Sequence, residues 1–232
     1  MCKLRRKLLL FDYIISRLVE WQACLEYGRP ATTRFCDLSK EEINACLKSF
    51  SGVRLMKMLY LICLNSVNEQ TQNIQNTLFG LFDNYVAMPK GPVEDAVYSN
   101  RSVLLRFEFS NGVLKLNETY PEHFIFNYPD IDKRRFDEDG LYKLAIFDEE
   151  IRNLHNNHEG ETTLGEYKEY IDTSIQALRE KRDLPFQNVN KLIDITHKML
   201  LWNKFFNTED RRFVLTLEDL KKEKDSFKNL IS

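Results

Sequence analysis

The stretch from Val53 to Val67 constrains this chain more than any other. Read as a helix, it places Val53, Met56, Tyr60, Cys63 and Val67 on one stripe and Leu55, Leu59 and Ile62 on a second. A helix that is apolar around most of its circumference belongs at the centre of a core, because it has little surface to offer water. Lys57 interrupts the pattern. It must either reach solvent along its methylene stem or meet a carboxylate.

Several amphipathic segments are available to surround such a helix. The first runs from about Leu4 to Tyr27, with apolar positions at Leu8, Phe11, Ile15, Leu18, Val19 and Cys24 or Leu25. Gly28 and Pro30 stop it. Ser39-Lys40-Glu41-Glu42 is a capping box that opens a short helix through Ile43, Cys46 and Leu47. Thr163-Leu164-Gly165-Glu166 is a second one, with Leu164, Tyr167, Ile171, Ile175 and Leu178 expected inward. Leu192, Ile195, Met199, Trp202 and Phe206 alternate spacings of three and four and read as one amphipathic helix. Thr216 caps a last helix that uses Leu217, Leu220, Phe227 and Leu230. A further helix is expected over about 148–156. Residues 68–76 and 130–140 read as loops. The apolar run Phe79 to Ala87 fits helix or strand. Pro89, Gly91 and Pro92 force a bend, and a short helix over Val93 to Tyr98 follows, with Pro92 at its first turn.

The strongest β signal is Asn111-Gly112, the favoured pair for a type I′ hairpin. With these two as the loop, Phe109 faces Leu114, Phe107 faces Leu116, and Glu108 faces Lys115 on the opposite side. His123 to Phe126 would add a third strand. The expected fold is therefore mainly α: a compact multi-helix domain over 51–232, a helical N-terminal extension over 1–50, and a small antiparallel β-hairpin or meander insert at about 101–127.

Composition narrows the functional classes. The 232 residues are 43% hydrophobic and 29% charged with a net charge of −2, and the pI is about 6.1. That balance disfavours a dedicated nucleic-acid binder, which needs cationic groups for phosphate. Cys2, Cys24, Cys36, Cys46 and Cys63 are odd in number and contain no C-x-x-C pair, as expected of reduced thiols in a cytoplasm. Lys3, Arg5, Arg6 and Lys7 precede an apolar run, but Asp12 and Arg17 interrupt it, so an amphipathic helix is expected rather than a leader or a membrane span.

No phosphate-binding loop, nucleophile elbow or zinc-protease motif is present. His155 and His158 sit in a polar helix end, and the acidic runs 137–139 and 148–150 read as solvated, so no metal or cofactor is expected. The alternating run Lys221-Lys222-Glu223-Lys224 reads as a solvated face. His197 lies on a helix, where a lone histidine is more often hydrogen-bonded structure than a general base.

Against this background a family resemblance stands out. Lys57-Met58-Leu59-Tyr60 resembles the K-L-L-Y helix motif of the SocA-like antitoxin family (Panacea domain), a family that includes phage-associated GepA-like proteins. Gly91-Pro92-Val93 followed by Val97-Tyr98 is similar to its G-P-V-x-x-x-[VL]-Y signature. Leu192 through Thr196-His197-Lys198, then Trp202, resembles its C-terminal L-x-x-x-[ST]-H element. The resemblance spans about residues 50–205 and keeps the motif order. The N-terminal extension and the β insert depart from the compact family pattern.

The resemblance implies an antitoxin that neutralises a cognate protein toxin by direct binding, in some members by delivering it to a cellular protease. A homo-oligomer is compatible with it; a membrane role is not implied. It also implies scaffold roles for Lys57, Tyr60, Gly91, Pro92, Val93, Tyr98, His197 and Trp202. Lys57 and His197, the polar members, are expected to hydrogen-bond near the Gly91–Pro92 bend and pin the helices. The insert supplies the candidate partner-binding residues Arg106, Glu108, Asn111 and Lys115. Two alternatives are an accessory protein of a phage or mobile element that binds a host factor, and an enzyme using His197.

Overall fold

The computed structural model describes residues 3–104, 106–110, 112–117, 162–180 and 189–231. The fold is mainly α, with two small antiparallel two-stranded sheets. The chain divides into two units. One comprises Met1–Ser51 and Asn100–Thr163, the other Gly52–Ser99 and Leu164–Ser232. No helix among the described residues is long and apolar enough to cross a membrane.

The first unit is built on α1 (Lys3–Tyr27). Gly28 ends it in the left-handed region at φ +61, the usual stop for a helix. Burial runs further around α1 than the single stripe predicts, taking in Leu9, Leu10, Ile14, Trp21 and Ala23, while Leu25 is exposed. The capping box opens α2 (Lys40–Leu47): Ser39 Oγ accepts from Glu42 N and the Glu42 carboxylate accepts from Ser39 N. The hairpin of β3 (Phe107–Ser110) and β4 (Val113–Leu116) has the expected register, with Phe107 opposite Leu116, Glu108 opposite Lys115 and Phe109 opposite Leu114. Phe107, Leu114 and Leu116 are buried. Gly112 takes φ +78. Asn111, the expected strand at 123–126, the charged loop and the helix over 148–156 lie outside the described residues.

The second unit surrounds α3 (Gly52–Asn65), on which every residue from Arg54 to Leu64 is buried. The run Phe79 to Ala87 turns out to be both helix and strand: α4 (Leu78–Leu81) is followed by β1 (Tyr85–Met88). The expected helix over Val93 to Tyr98 is corrected. Gly91–Glu94 form β2, paired with β1, and α5 (Asp95–Asn100) starts later. The reason lies in Pro92. It sits opposite Ala87, whose N–H donates to Arg211 O on the far side of β1. The Ala87–Pro92 pair is therefore not one that exchanges ladder bonds, and the missing proline N–H costs the sheet nothing. Phe213 N donates to Tyr85 O, so residues 211–213 run along the other edge of β1.

Helix α6 (Leu164–Glu180) buries Leu164, Tyr167, Ile171, Ile175 and Leu178 as expected. The single helix expected through Phe206 is two: α7 (Val189–His197) and α8 (Leu200–Phe206), separated at Lys198 and Met199. Thr216 Oγ1 accepts from Asp219 N at the start of α9 (Leu217–Ile231). On α9, Leu220 and Phe227 are buried, whereas Leu217 and Leu230 are only half-buried.

Two glycines in the left-handed region separate conformational cost from crowding. A Cβ on Gly28 would meet nothing within 4 Å, whereas one on Gly91 would lie 2.5 Å from Thr196 Oγ1 and 2.9 Å from Lys57 Cε. Gly28→Ala is expected to lose about 1 kcal/mol. Gly91→Ala is expected to lose roughly 3 kcal/mol or more, because the clash adds to the strain. Urea titration of both variants reads the difference, and equal losses would mean the crowding at Gly91 is relieved without cost.

Candidate functional site

Several of the residues that carry the family resemblance meet at one junction in the second unit. Lys57 points from α3 at β2, and its Nζ donates to Pro92 O at 2.9 Å. Pro92 O faces away from β1 and has no ladder partner, so the lysine takes the place of a missing strand. Lys57 makes its expected hydrogen bond near the Gly91–Pro92 bend, whereas the expectations of solvent or a carboxylate fail. It does not reach solvent, being 0% exposed, and its partner is a neutral carbonyl rather than a carboxylate. Burial pushes its amine down to about 7. Gly91, at φ +100, lets the strand approach Thr196 and Lys57 this closely. Thr196 Oγ1 is itself engaged, donating to Ile193 O.

Trp202 closes the same junction from α8, where its Nε1 donates to Met88 O at 2.9 Å. The His197 ring stacks on Trp202 at 4.2 Å between centroids, and Phe206 stacks at 4.4 Å. The Arg211 guanidinium lies over Phe206. Among the described residues, His197 Nε2 is enclosed with no hydrogen-bond partner. The ring is thus held by stacking rather than aimed at a carboxylate. Val93 is buried and Tyr98 half-buried.

Tyr60 leads to a group that sequence reasoning misplaced. Its hydroxyl donates to Glu223 Oε1 at 2.6 Å. Glu223, read as part of a solvated face, is 0% exposed. Its other oxygen accepts from Leu200 N at 2.7 Å and Leu201 N at 3.2 Å. Helix α8 follows Met199, which has no side-chain acceptor to offer. The carboxylate of α9 therefore caps α8 from a distance. Burial still raises the Glu223 carboxyl above its ordinary value, and both burial and the neighbouring carboxylate raise the Tyr60 hydroxyl. Tyr60 also packs edge-on against Phe79, Tyr85 and Phe213. The available signal was spacing: Leu220, Glu223 and Phe227 share one helical stripe.

The partner-binding candidates divide. Glu108 and Lys115 are exposed on the outer face of the hairpin, and Asn111 lies outside the described residues. Arg106 is corrected. It is buried in the first unit, where its Nη1 donates to Ser16 Oγ at 2.7 Å and its guanidinium lies over the Phe35 ring. Its backbone N–H donates to the Asp12 carboxylate. The Asp12 carboxylate also accepts from the Phe107 N–H. Burial raises Asp12 to about 7 against the lowering effects of Arg106 and these amides, and burial lowers Arg106. Phe35 N donates to Glu20 Oε1, and Phe35 packs edge-on against Phe107. Arg106 turns inward because the polar groups of α1 face the start of β3. Asp12 and Glu20 gave no sequence signal beyond their place among apolar neighbours.

Among the described residues no group of three or more His, Cys, Asp or Glu side chains is placed to hold a metal ion. No family model, curated protein or solved structure matches the chain.

Two outcomes test these assignments. A double-mutant cycle of Tyr60→Phe and Glu223→Gln is expected to give a coupling of about 1–3 kcal/mol by chemical denaturation; additive losses would deny the link. Arg106→Leu leaves the Asp12 carboxylate buried without its cation and is expected to cost roughly 3–5 kcal/mol. Glu108→Lys, on the exposed face of the same hairpin, should stay within about 0.5 kcal/mol. Comparable losses at the two positions would place Arg106 at the surface after all.

Proposed function

We propose that this chain is an antitoxin-like protein that neutralises a co-encoded protein toxin by direct binding. The supporting observation is the convergence of the motif residues. Lys57, Gly91, Pro92, Thr196, His197 and Trp202 come from separate elements, yet meet at one packed junction. Motifs that match by chance have no reason to touch. Their burial suits the scaffold role that the resemblance implies, and the reading rests on that resemblance.

Partner contact then falls to exposed positions. Glu108 and Lys115 present opposite charges on the outer face of the hairpin, a pattern able to fix the register of a partner. The free thiol of Cys36 is exposed, which suits a reducing cytoplasm. Binding alone would suffice for neutralisation. Handing the toxin to a cellular protease is the second route, and toxin lifetime in growing cells separates the two.

Co-expression with the protein encoded beside it tests the proposal. Growth arrest by the neighbour alone, relieved by this chain, is the expected result. The double reversal Glu108→Lys with Lys115→Glu is expected to weaken the complex at least tenfold by calorimetry without loss of folding. A neighbour that is harmless by itself would overturn the antitoxin reading and favour a host-factor partner. Unchanged affinity in the reversal variant would move the contact off the hairpin.

A further inference from the structure

Among the described residues, the second unit buries an amine without a counter-charge at the point where three elements meet. We propose that the folded unit holds Lys57 as a neutral amine, and that proton uptake there loosens the joint of α3, β2 and α7, so that the joint responds to pH independently of what the protein binds.

Lys57 is 0% exposed. Among the described residues its hydrogen-bond partner is Pro92 O, an acceptor that serves a neutral amine as well as an ammonium. An ammonium would need two further acceptors. Thr196 Oγ1, on the same side of Gly91, donates to Ile193 O and keeps lone pairs to serve as one of them, but it carries no counter-charge. The space at Gly91 is tight, since a Cβ there would lie 2.5 Å from Thr196 Oγ1 and 2.9 Å from Lys57 Cε. A charged amine enclosed in this way is strongly disfavoured.

The ionisable groups on the elements packed against α3 do not relieve it. On β2, the Glu94 carboxylate accepts from Asn84 N and Val97 N. On α9, Glu223 is taken by Tyr60 and by the start of α8. On α7, Lys191 and Asp194 are exposed and His197 is stacked on Trp202. On α6, Glu166, Glu169 and Glu180 are exposed, and Lys168, Asp172 and Arg179 are half-exposed. Helix α4 carries no ionisable group. On α3 itself Arg54 is one turn away and cationic, so it cannot neutralise an ammonium. Burial is accordingly the cause that lowers Lys57.

The sign follows. An unfolded or locally opened chain binds the Lys57 proton below its ordinary value of 10.5, while the closed joint does not bind it until about 7. Between these limits opening takes up a proton, so falling pH favours the open form by up to tenfold per unit. Below about 7 both forms are protonated and the effect is complete. The joint is tightest in alkali and loosens toward neutrality.

Two measurements on the full chain decide the matter. The first follows the Lys57 ε-carbon by NMR, assigned by its absence in Lys57→Met. A midpoint near 7 is expected, and one above 9 overturns the proposal. The second follows exchange of the Trp202 indole N–H, corrected for intrinsic rate, from pH 7 to pH 9. Its protection should rise by about tenfold per unit in the wild type and stay flat in Lys57→Met. Parallel profiles would overturn the proposal. If Lys57→Met does not fold, the lysine resonance of the wild type is identified by selective labelling and its titration alone decides.

Discussion

The bond from Lys57 Nζ to Pro92 O is the constraint on which the second unit depends. A two-stranded sheet has two open edges, and each carries backbone groups that need partners. One edge of β1 is served by residues 211–213. The outer edge of β2 lies against α3, and there Lys57 supplies the donor that Pro92 O accepts. The lysine is therefore less an intruder in an apolar helix than the donor that lets a strand pack on it. Gly91 follows from the same requirement, since only a residue without Cβ allows β2 to come within reach of the amine. Proline at 92 follows as well, because the N–H it lacks would have pointed the same way as its carbonyl, into a place where no acceptor waits.

The first unit solves an equivalent problem with the opposite charge. Its hairpin begins at Arg106 and Phe107, whose N–H groups meet the Asp12 carboxylate on α1. Here the exposed strand groups are donors, so the helix supplies an acceptor, and Arg106 folds back through Ser16 to offset the charge. In both units a buried ionisable residue on a long helix, Asp12 on α1 and Lys57 on α3, satisfies the backbone of a short hairpin. Glu223 extends the rule to a helix end, serving two N–H groups of α8 and the Tyr60 hydroxyl at once. Each arrangement is costly to break, because removing one member strands the others in a medium that cannot solvate them.

This explains what could be read from the residues and what could not. Local signals succeeded where the physics is local. The capping box at Ser39, the hairpin register around Gly112 and the inward face from Leu164 to Leu178 all depend on residues within a few positions of one another. The failures share a different cause. Nothing near Val93 says that residues 91–94 will find a partner in 85–88, and the proline reads as a helix start. Nothing near Met199 says that a carboxylate from another helix will cap the chain there, so the run from Leu192 to Phe206 looked continuous. For Lys57 the alternatives were framed as solvent or carboxylate because side chains are what a sequence displays. The acceptor was a backbone carbonyl, which every residue has and no residue type announces. Arg106 was misread for a similar reason, since its partners Asp12 and Ser16 lie far away along the chain.

The same logic bears on where specificity can reside. The motif residues at the junction are occupied with one another: Lys57 with Pro92, Trp202 with Met88 and His197. A residue committed to satisfying its own fold cannot also discriminate between partners without being freed first. Under the proposed binding role, discrimination falls to positions the core does not use. In the first unit these include Glu108 and Lys115, whose side chains leave the hairpin on its solvent face. In the second they include Met88, Leu200 and Val214, apolar residues that remain exposed although each adjoins a buried element of the junction. Such residues gain nothing from the fold in hand, and burial against a partner is the condition under which their apolar surface becomes favourable. A joint that loosens would act on this second set, because Met88 is tied to it directly through the Trp202 bond. The junction and these exposed residues are thus separate in composition but linked at the Met88 carbonyl.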